Sequence, residues 1–264
     1  VTRLHRLRSV AIGIAGVATF LVAWWVVAQA QVWSPLFVPH PLDVWHQLLL
    51  TTTVHNGQRG VSGYLLQEHL LASVRRIALG AAIGVAGGVA IGLALGLVPT
   101  LRAALGPALT FLRILPPLAY LYLLVIWFGI AEAPKVWVLL IAALPVVAVA
   151  TADAVHNVAE DYRNAARSLG ARRWELPWRV ILPAALPEIL TGVRLAVGVA
   201  YTSMVAAETI NGVPGIGGMI RDAQRYNNTD VVVLGILVIG LSGLLIDASL
   251  QLLQRRLAPW RGRV

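Results

Sequence analysis

Long apolar runs, each near the length of a membrane-crossing helix, recur along this 264-residue chain and leave few ways to fold it. An α-helix needs about 20 apolar residues to cross about 30 Å of hydrocarbon, and inside lipid its backbone groups must bond within the segment. About six such spans are expected, near residues 10–31, 77–98, 108–129, 136–155, 184–207 and 231–253. With 58% hydrophobic and 12% charged residues, the chain has too little polar surface for a soluble globule. The expected fold class is an all-α integral membrane protein, with residues 1–264 as a single transmembrane domain.

Arginine placement orients the spans. Arg3, Arg6 and Arg8 precede the first run, and Ala28-Gln29-Ala30 has the small-x-small form of a signal cleavage site. The run exceeds a signal-peptide core and carries Trp24 and Trp25, which favours a retained first helix. With the N-terminus inside, fourteen basic residues face the cytoplasm: Arg3, Arg6, Arg8, Arg102, Arg113, Arg163, Arg167, Arg172, Arg173, Arg179, Arg255, Arg256, Arg261 and Arg263. Six face outward: Arg59, Arg75, Arg76, Lys135, Arg221 and Arg225. Both termini are therefore expected inside, in a multi-pass cytoplasmic membrane protein. The net charge of +9 follows from these loops, so no nucleic-acid partner is expected.

Two span features have local consequences. Glycines at 80, 84, 88, 92 and 96 form one smooth face, which predicts close helix packing. Pro116-Pro117 removes two backbone donors in the third span, which should bend or break there and become a candidate lining element. The stretch between Trp33 and Arg76 is polar enough to lie outside.

The most charged loop, 156–183, separates the fourth and fifth spans. Asn157 and Glu160 have capping-box spacing, and Tyr162, Ala165, Ala166 and Leu169 follow at i, i+3, i+4, i+7. Arg163, Asn164, Arg167 and Ser168 lie off that stripe, and Gly170 can end the helix. By chemistry alone the helix suits either an anionic lipid surface or another protein.

This loop resembles the EAA loop of ABC-importer permeases: Asn164-Ala165-Ala166, three residues, Gly170-Ala171, then Ile181-Leu182-Pro183. The family's leading Glu is Asn164 here, a neutral amide that hydrogen-bonds but carries no charge. Phe37-Val38-Pro39-His40-Pro41, Ser73-Val74-Arg75-Arg76, Pro116-Pro117-Leu118-Ala119, Trp127-Phe128-Gly129-Ile130 and Ala206-Ala207-Glu208 are similar to the sulfonate, taurine and nitrate/bicarbonate subfamily. The resemblance implies a type I ABC-importer permease fold, a homodimer around one path, and an extracytoplasmic binding protein. It also implies that ATP and Mg are bound by separate ATPase subunits, not by this chain. By resemblance Asn164, Ala165, Ala166, Arg167, Gly170, Ala171 and Arg172 seat the ATPase, and a small anion is carried.

Polar groups inside spans are candidates for touching a solute. Tyr201, Thr202, Ser203 and Glu208, with Pro116 and Pro117, either line a path or serve interhelical hydrogen bonding. Asp153, Glu188, Arg194 and Asp247 read as structural, and Tyr120 and Trp127 as packing, with an aromatic wall for the path as the alternative. Gly212-Val213-Pro214-Gly215-Ile216-Gly217-Gly218 lacks the lysine of a phosphate loop and reads as a tight external turn. The six histidines show no metal-ligand spacing, and no catalytic constellation appears, so the chain is not read as an enzyme. A secondary carrier or channel is the alternative; it favours inverted repeats and midplane ionisable groups, and neither is evident.

Overall fold

The computed structural model describes residues 2–55 and 57–260. Arg261 and Arg263 lie outside the described residues, as do the side chains of Arg3, His5 and Arg6. Ten α-helices carry the described chain: α1 (Thr2–Gln29), α2 (Pro41–Thr52), α3 (Leu66–Leu97), α4 (Pro99–Ile114), α5 (Pro117–Phe128), α6 (Glu132–His156), α7 (Glu160–Ser168), α8 (Leu182–Asn211), α9 (Ile216–Arg225) and α10 (Thr229–Leu257). A two-strand hairpin, β1 (Val54–His55) and β2 (Gln58–Arg59), follows α2. Five helical segments are long and apolar enough to span, and the bent pair α4–α5 brings the number to six.

The third span is broken rather than curved. α4 and α5 meet at 95°, because Leu115 and Pro116 are extended at the joint and Pro117 starts a new helix. The second span starts at Leu66, well before the expected residue 77. Hydropathy cannot see that extension, since Glu68, His69, Arg75 and Arg76 fall in it. At 32 residues α3 is about 48 Å long, more than the hydrocarbon needs, so its first turns reach past it.

α3 and α6 run parallel and make the tightest pair in the molecule, as the glycine face predicts. A Cβ on Gly80 would meet Leu139 Cβ at 2.5 Å, one on Gly88 Leu144 O at 2.7 Å, and one on Gly96 Val155 Cβ at 2.6 Å. Only glycine lets the backbones approach this closely. α8 lies antiparallel to α6: Ile189 packs near Ala154 and Val155, while Ala196, Ala200 and Met204 join Ala143, Val147, Leu139 and Ile77. Three helices thus form one core of small and branched side chains, and α7 and α9 mark its opposite ends.

Polar pairs fasten the rest. Arg194 forks onto both Asp247 oxygens at 2.9 and 2.8 Å, tying α8 to α10, and Arg102 reaches Asp153 at 2.7 Å between α4 and α6. These are the structural roles expected of Asp153, Arg194 and Asp247. Tyr120 packs beside Leu121 and Val138, but Trp127 is 65% exposed, which corrects its reading as a packing residue. It stands on the open face of α5 with Tyr122 and Ile126.

Candidate functional site

α7 projects from one end of the core. Glu160 and Asp161 in its first turn and Arg167 in its last complement the helix dipole. The expected Asn157–Glu160 capping box does not form. Asn157 instead closes α6, its N–H bonding Asp153 O at 2.9 Å, and Ala159 precedes α7. The end is as expected: Gly170 has φ +86°, Ala171 N donates to Ala166 O at 2.9 Å and Gly170 N to Arg167 O at 3.0 Å. That paired return is a Schellman closure, which requires a left-handed residue at Gly170.

No residue of α7 is buried, and Leu169 beside it is 89% exposed. Arg163 Nη2 donates to Val155 O at 3.1 Å, anchoring the helix to the last turn of α6. Arg167 reaches Asn164 Oδ1 at 3.4 Å, and Arg172 N donates to Glu175 Oε2 at 2.9 Å. A π-helical turn at Pro177–Ile181 then feeds α8. Asn164, Ala165, Ala166, Arg167, Gly170, Ala171 and Arg172 therefore sit on one projection joined to α6 and α8.

The opposite end holds a buried ion cluster. Arg76 lies 5% exposed and Glu208 fully buried. Arg76 Nη1 donates to Glu208 Oε1 at 2.6 Å and to Pro214 O at 2.8 Å, while Nε and Nη2 fork onto Glu132 at 2.6 and 2.8 Å. Lys135 Nζ reaches Glu132 Oε1 at 2.7 Å, so two cations meet two carboxylates. Ser73 Oγ donates to Glu208 at 2.8 Å and accepts from Ile216 N at 3.0 Å. His69 bridges two loops: its Nδ1 lies 3.0 Å from both the N and the O of Gly215, and its Nε2 lies 3.0 Å from Val61 O.

The glycine run after α8 is explained by this cluster. Gly217 N donates to Glu208 Oε2 at 2.9 Å, and a Cβ on Gly217 would meet Val205 O at 2.6 Å and Glu208 Cβ at 2.8 Å. The run joins the last two spans, but it is not a tight turn alone: α9 starts within it at Ile216, and the run wraps a carboxylate. The N-terminus of α9 holds an anion, and that anion is the chain's own Glu208. The sequence signal was Glu208 just before a glycine-rich run.

The proposed path residues are not brought together. Tyr201 Oη donates to Ile239 O at 2.6 Å, facing α10, and Ser203 Oγ bonds Val199 O in the interior at 2.6 Å. Glu208 has no exposed surface and so lines no open path in this conformation. Thr202 is exposed, its hydroxyl donating to Val199 O at 2.9 Å, and Pro116 sits at the exposed break. The open stripe of α8 is Leu195, Val199, Thr202 and Thr209; sequence reasoning missed Thr209. Among the described residues no group of three His, Asp or Glu side chains is placed to hold a metal.

The all-α span bundle, with a helix projecting between its fourth and fifth spans, has known counterparts. Residues 84–259 match the family of binding-protein-dependent transport system inner membrane components. The chain belongs to this family. It is 44% identical to the taurine transport system permease protein TauC of Escherichia coli K12, covering 97% of this chain and 92% of that one. It is 32% identical to the bicarbonate transport system permease protein CmpB of Synechococcus elongatus, over 95% and 90% of the two chains. In fold it resembles a crystal structure of an amino acid ABC transporter, with TM-score 0.58 and 21% identity, over 72% of this chain and 94% of that one. The family member described here is thus a multi-pass membrane component of a transport system rather than an enzyme.

Proposed function

We propose that the chain is the permease of an ATP-driven importer for a small organic anion, with taurine-like sulfonates the first class to consider. In this reading it acts as a homodimer with both termini in the cytoplasm. ATPase subunits holding ATP and Mg seat on α7 through Asn164–Ala165–Ala166, Arg167, Gly170, Ala171 and Arg172. An extracytoplasmic binding protein delivers the solute at the α9 end. The observation that carries the proposal is α7 itself, a helix with no buried residue yet held at both ends. Nine residues are too few to be helical alone, so the projection is ordered by its anchors and its free face suits a partner.

Closure of the ATPases would push α7. Arg163 passes the push to the end of α6, and the turn at Pro177–Ile181 passes it to α8. Those helices share a core with α3, so the three would tilt together, while the 95° joint between α4 and α5 gives a separate moving part. Alternating access follows from that tilt. The ionisable pairs Arg76–Glu208 and Arg194–Asp247 are mutually satisfied, which supports this reading over a proton-coupled carrier.

A mild-detergent pull-down from native membranes, followed by radiolabelled taurine uptake in vesicles holding all components, tests it. An ATPase should accompany the chain in near-equal amount, and uptake should need ATP. Leu169→Glu should weaken capture about 30-fold, the scale of a lost interface anchor, without altering melting, because Leu169 packs on nothing. A chain captured alone even after cross-linking, or uptake independent of ATP, would sink the importer reading in favour of a carrier.

A further inference from the structure

A cleft of about 630 Å³ opens at the root of α7, between the last turn of α6, the chain entering α7 and the start of α8. Its lining is apolar at Ala154, Val158, Pro183 and Pro187 and aromatic at Tyr162 and Trp260, which are 44% and 39% exposed. Glu188 is the one charged residue in that lining. It is exposed and takes no hydrogen bond or ion pair among the described residues. No described arginine lines the cleft; Arg163 donates to Val155 O instead, at 3.1 Å. Glu160 and Asp161, in the first turn of α7, add negative charge at this root.

Trp260 is there because the end of α10 is fastened beside the cleft. Gln254 Nε2 donates to Pro187 O at 3.0 Å and to Thr191 Oγ1 at 2.9 Å, which pins the last turns of α10 to the first turns of α8. Ala258 closes the helix, its N–H donating to Gln254 O at 2.9 Å, and is 2% exposed. The chain therefore leaves α10 into the cleft that holds Glu188. Its next residues, Arg261-Gly262-Arg263-Val264, lie outside the described residues. Consecutive Cα atoms are about 3.8 Å apart, and three extended residues span about 10 Å. Both arginines are thus tethered within reach of a carboxylate that shares a cleft with Trp260. So short a tether gives a cation an effective concentration on the order of millimolar.

We propose that this cleft is a guanidinium site, filled by the chain's own Arg261–Val264 segment as a strap across the root of α7. An arginine suits it on two counts: its planar fork matches the Glu188 carboxylate, and its face stacks on indole and phenol rings. The apolar lining takes the methylene stem. The strap would join the end of α10 to α6, α7 and α8 where they diverge, and so resist any widening between them. The site stands on the cleft alone; its bearing on transport, a restraint on the push from α7, rests on the importer reading above.

The chain has no cysteine, so two introduced thiols report the contact without background from the protein itself. Ala184→Cys lies in the lining of the cleft, and Gly262→Cys sits between the two arginines. After a short bis-maleimide is applied to native membranes, peptide mass spectrometry should find this pair bridged. Gly262→Cys with Ser168→Cys, an exposed position at the far end of α7, should bridge several-fold less. Adding Glu188→Gln to the first pair should lower bridging about fivefold, near the upper end for an exposed charge pair, and so should Arg261→Gln with Arg263→Gln. Equal bridging of the two thiol pairs, or no loss in Glu188→Gln, would overturn the proposal. So would a bridge from the thiol at position 184 to an ATPase that Glu188→Gln abolishes, which would give the cleft to a partner's cation. Glu188-dependent bridging in a chain that captures no ATPase would keep the strap and remove only its bearing on transport.

Discussion

Arg76→Ala is expected to destabilise the protein by about 3–5 kcal/mol, the cost of stripping one partner from a buried ion pair. The effect falls on Glu208, which is fully buried and would keep only Ser73 and the Gly217 amide. Glu132 has a side chain 60% exposed and can turn to water when Arg76 is lost, so it adds little to that cost. Replacing both buried partners, Arg76→Met with Glu208→Leu, should recover part of the loss, because no unpaired charge is left inside. Fluorescence-detected size exclusion after stepped heating reads all of these. Unchanged melting of Arg76→Ala would mean that the cluster does not clamp α3, α8 and α9.

Gly92→Val should be about as damaging, at about 3 kcal/mol or more, by prising α3 from α6. A Cβ at Gly92 would stand 2.5 Å from both Ala148 O and Thr151 Cβ, and neither is the flexible tip of a side chain. The sharper comparison is between neighbours. Gly88→Ala places its methyl 2.7 Å from Leu144 O, whereas Gly87→Ala meets only Leu144 Cδ1 at 3.4 Å. Gly88→Ala should therefore lower the melting temperature while Gly87→Ala leaves it nearly unchanged. Gly13→Ala, with nothing within 4 Å, should be neutral or slightly stabilising. Equal melting of the Gly87 and Gly88 variants would show that the ladder does not set the interhelical distance.

Several features are legible in the order of the residues. The spans follow from local hydropathy, the α4–α5 break from Pro116-Pro117, the α3–α6 contact from the glycine face, and the end of α7 from Gly170. Other readings fail where two signals compete for one residue. Asn157 has the spacing of an N-cap, but the last turn of α6 claims it first. Trp127 reads as packing because large aromatics usually are, yet it stands 65% exposed on the open face of α5.

What the sequence alone determined is whatever depends on consecutive residues: which segments cross, where helices break or end, and which face is smooth. Each of those sums over a few neighbours along one helix. Tertiary structure decided the rest. Arg76 and Glu208 are 132 positions apart, and only the tilt and rotation of α3 against α8 bring them within 2.6 Å. The same geometry turned a glycine-rich run into a cradle for the chain's own carboxylate. Periodicity places each of these side chains on a face; which face meets which depends on packing summed over the whole bundle.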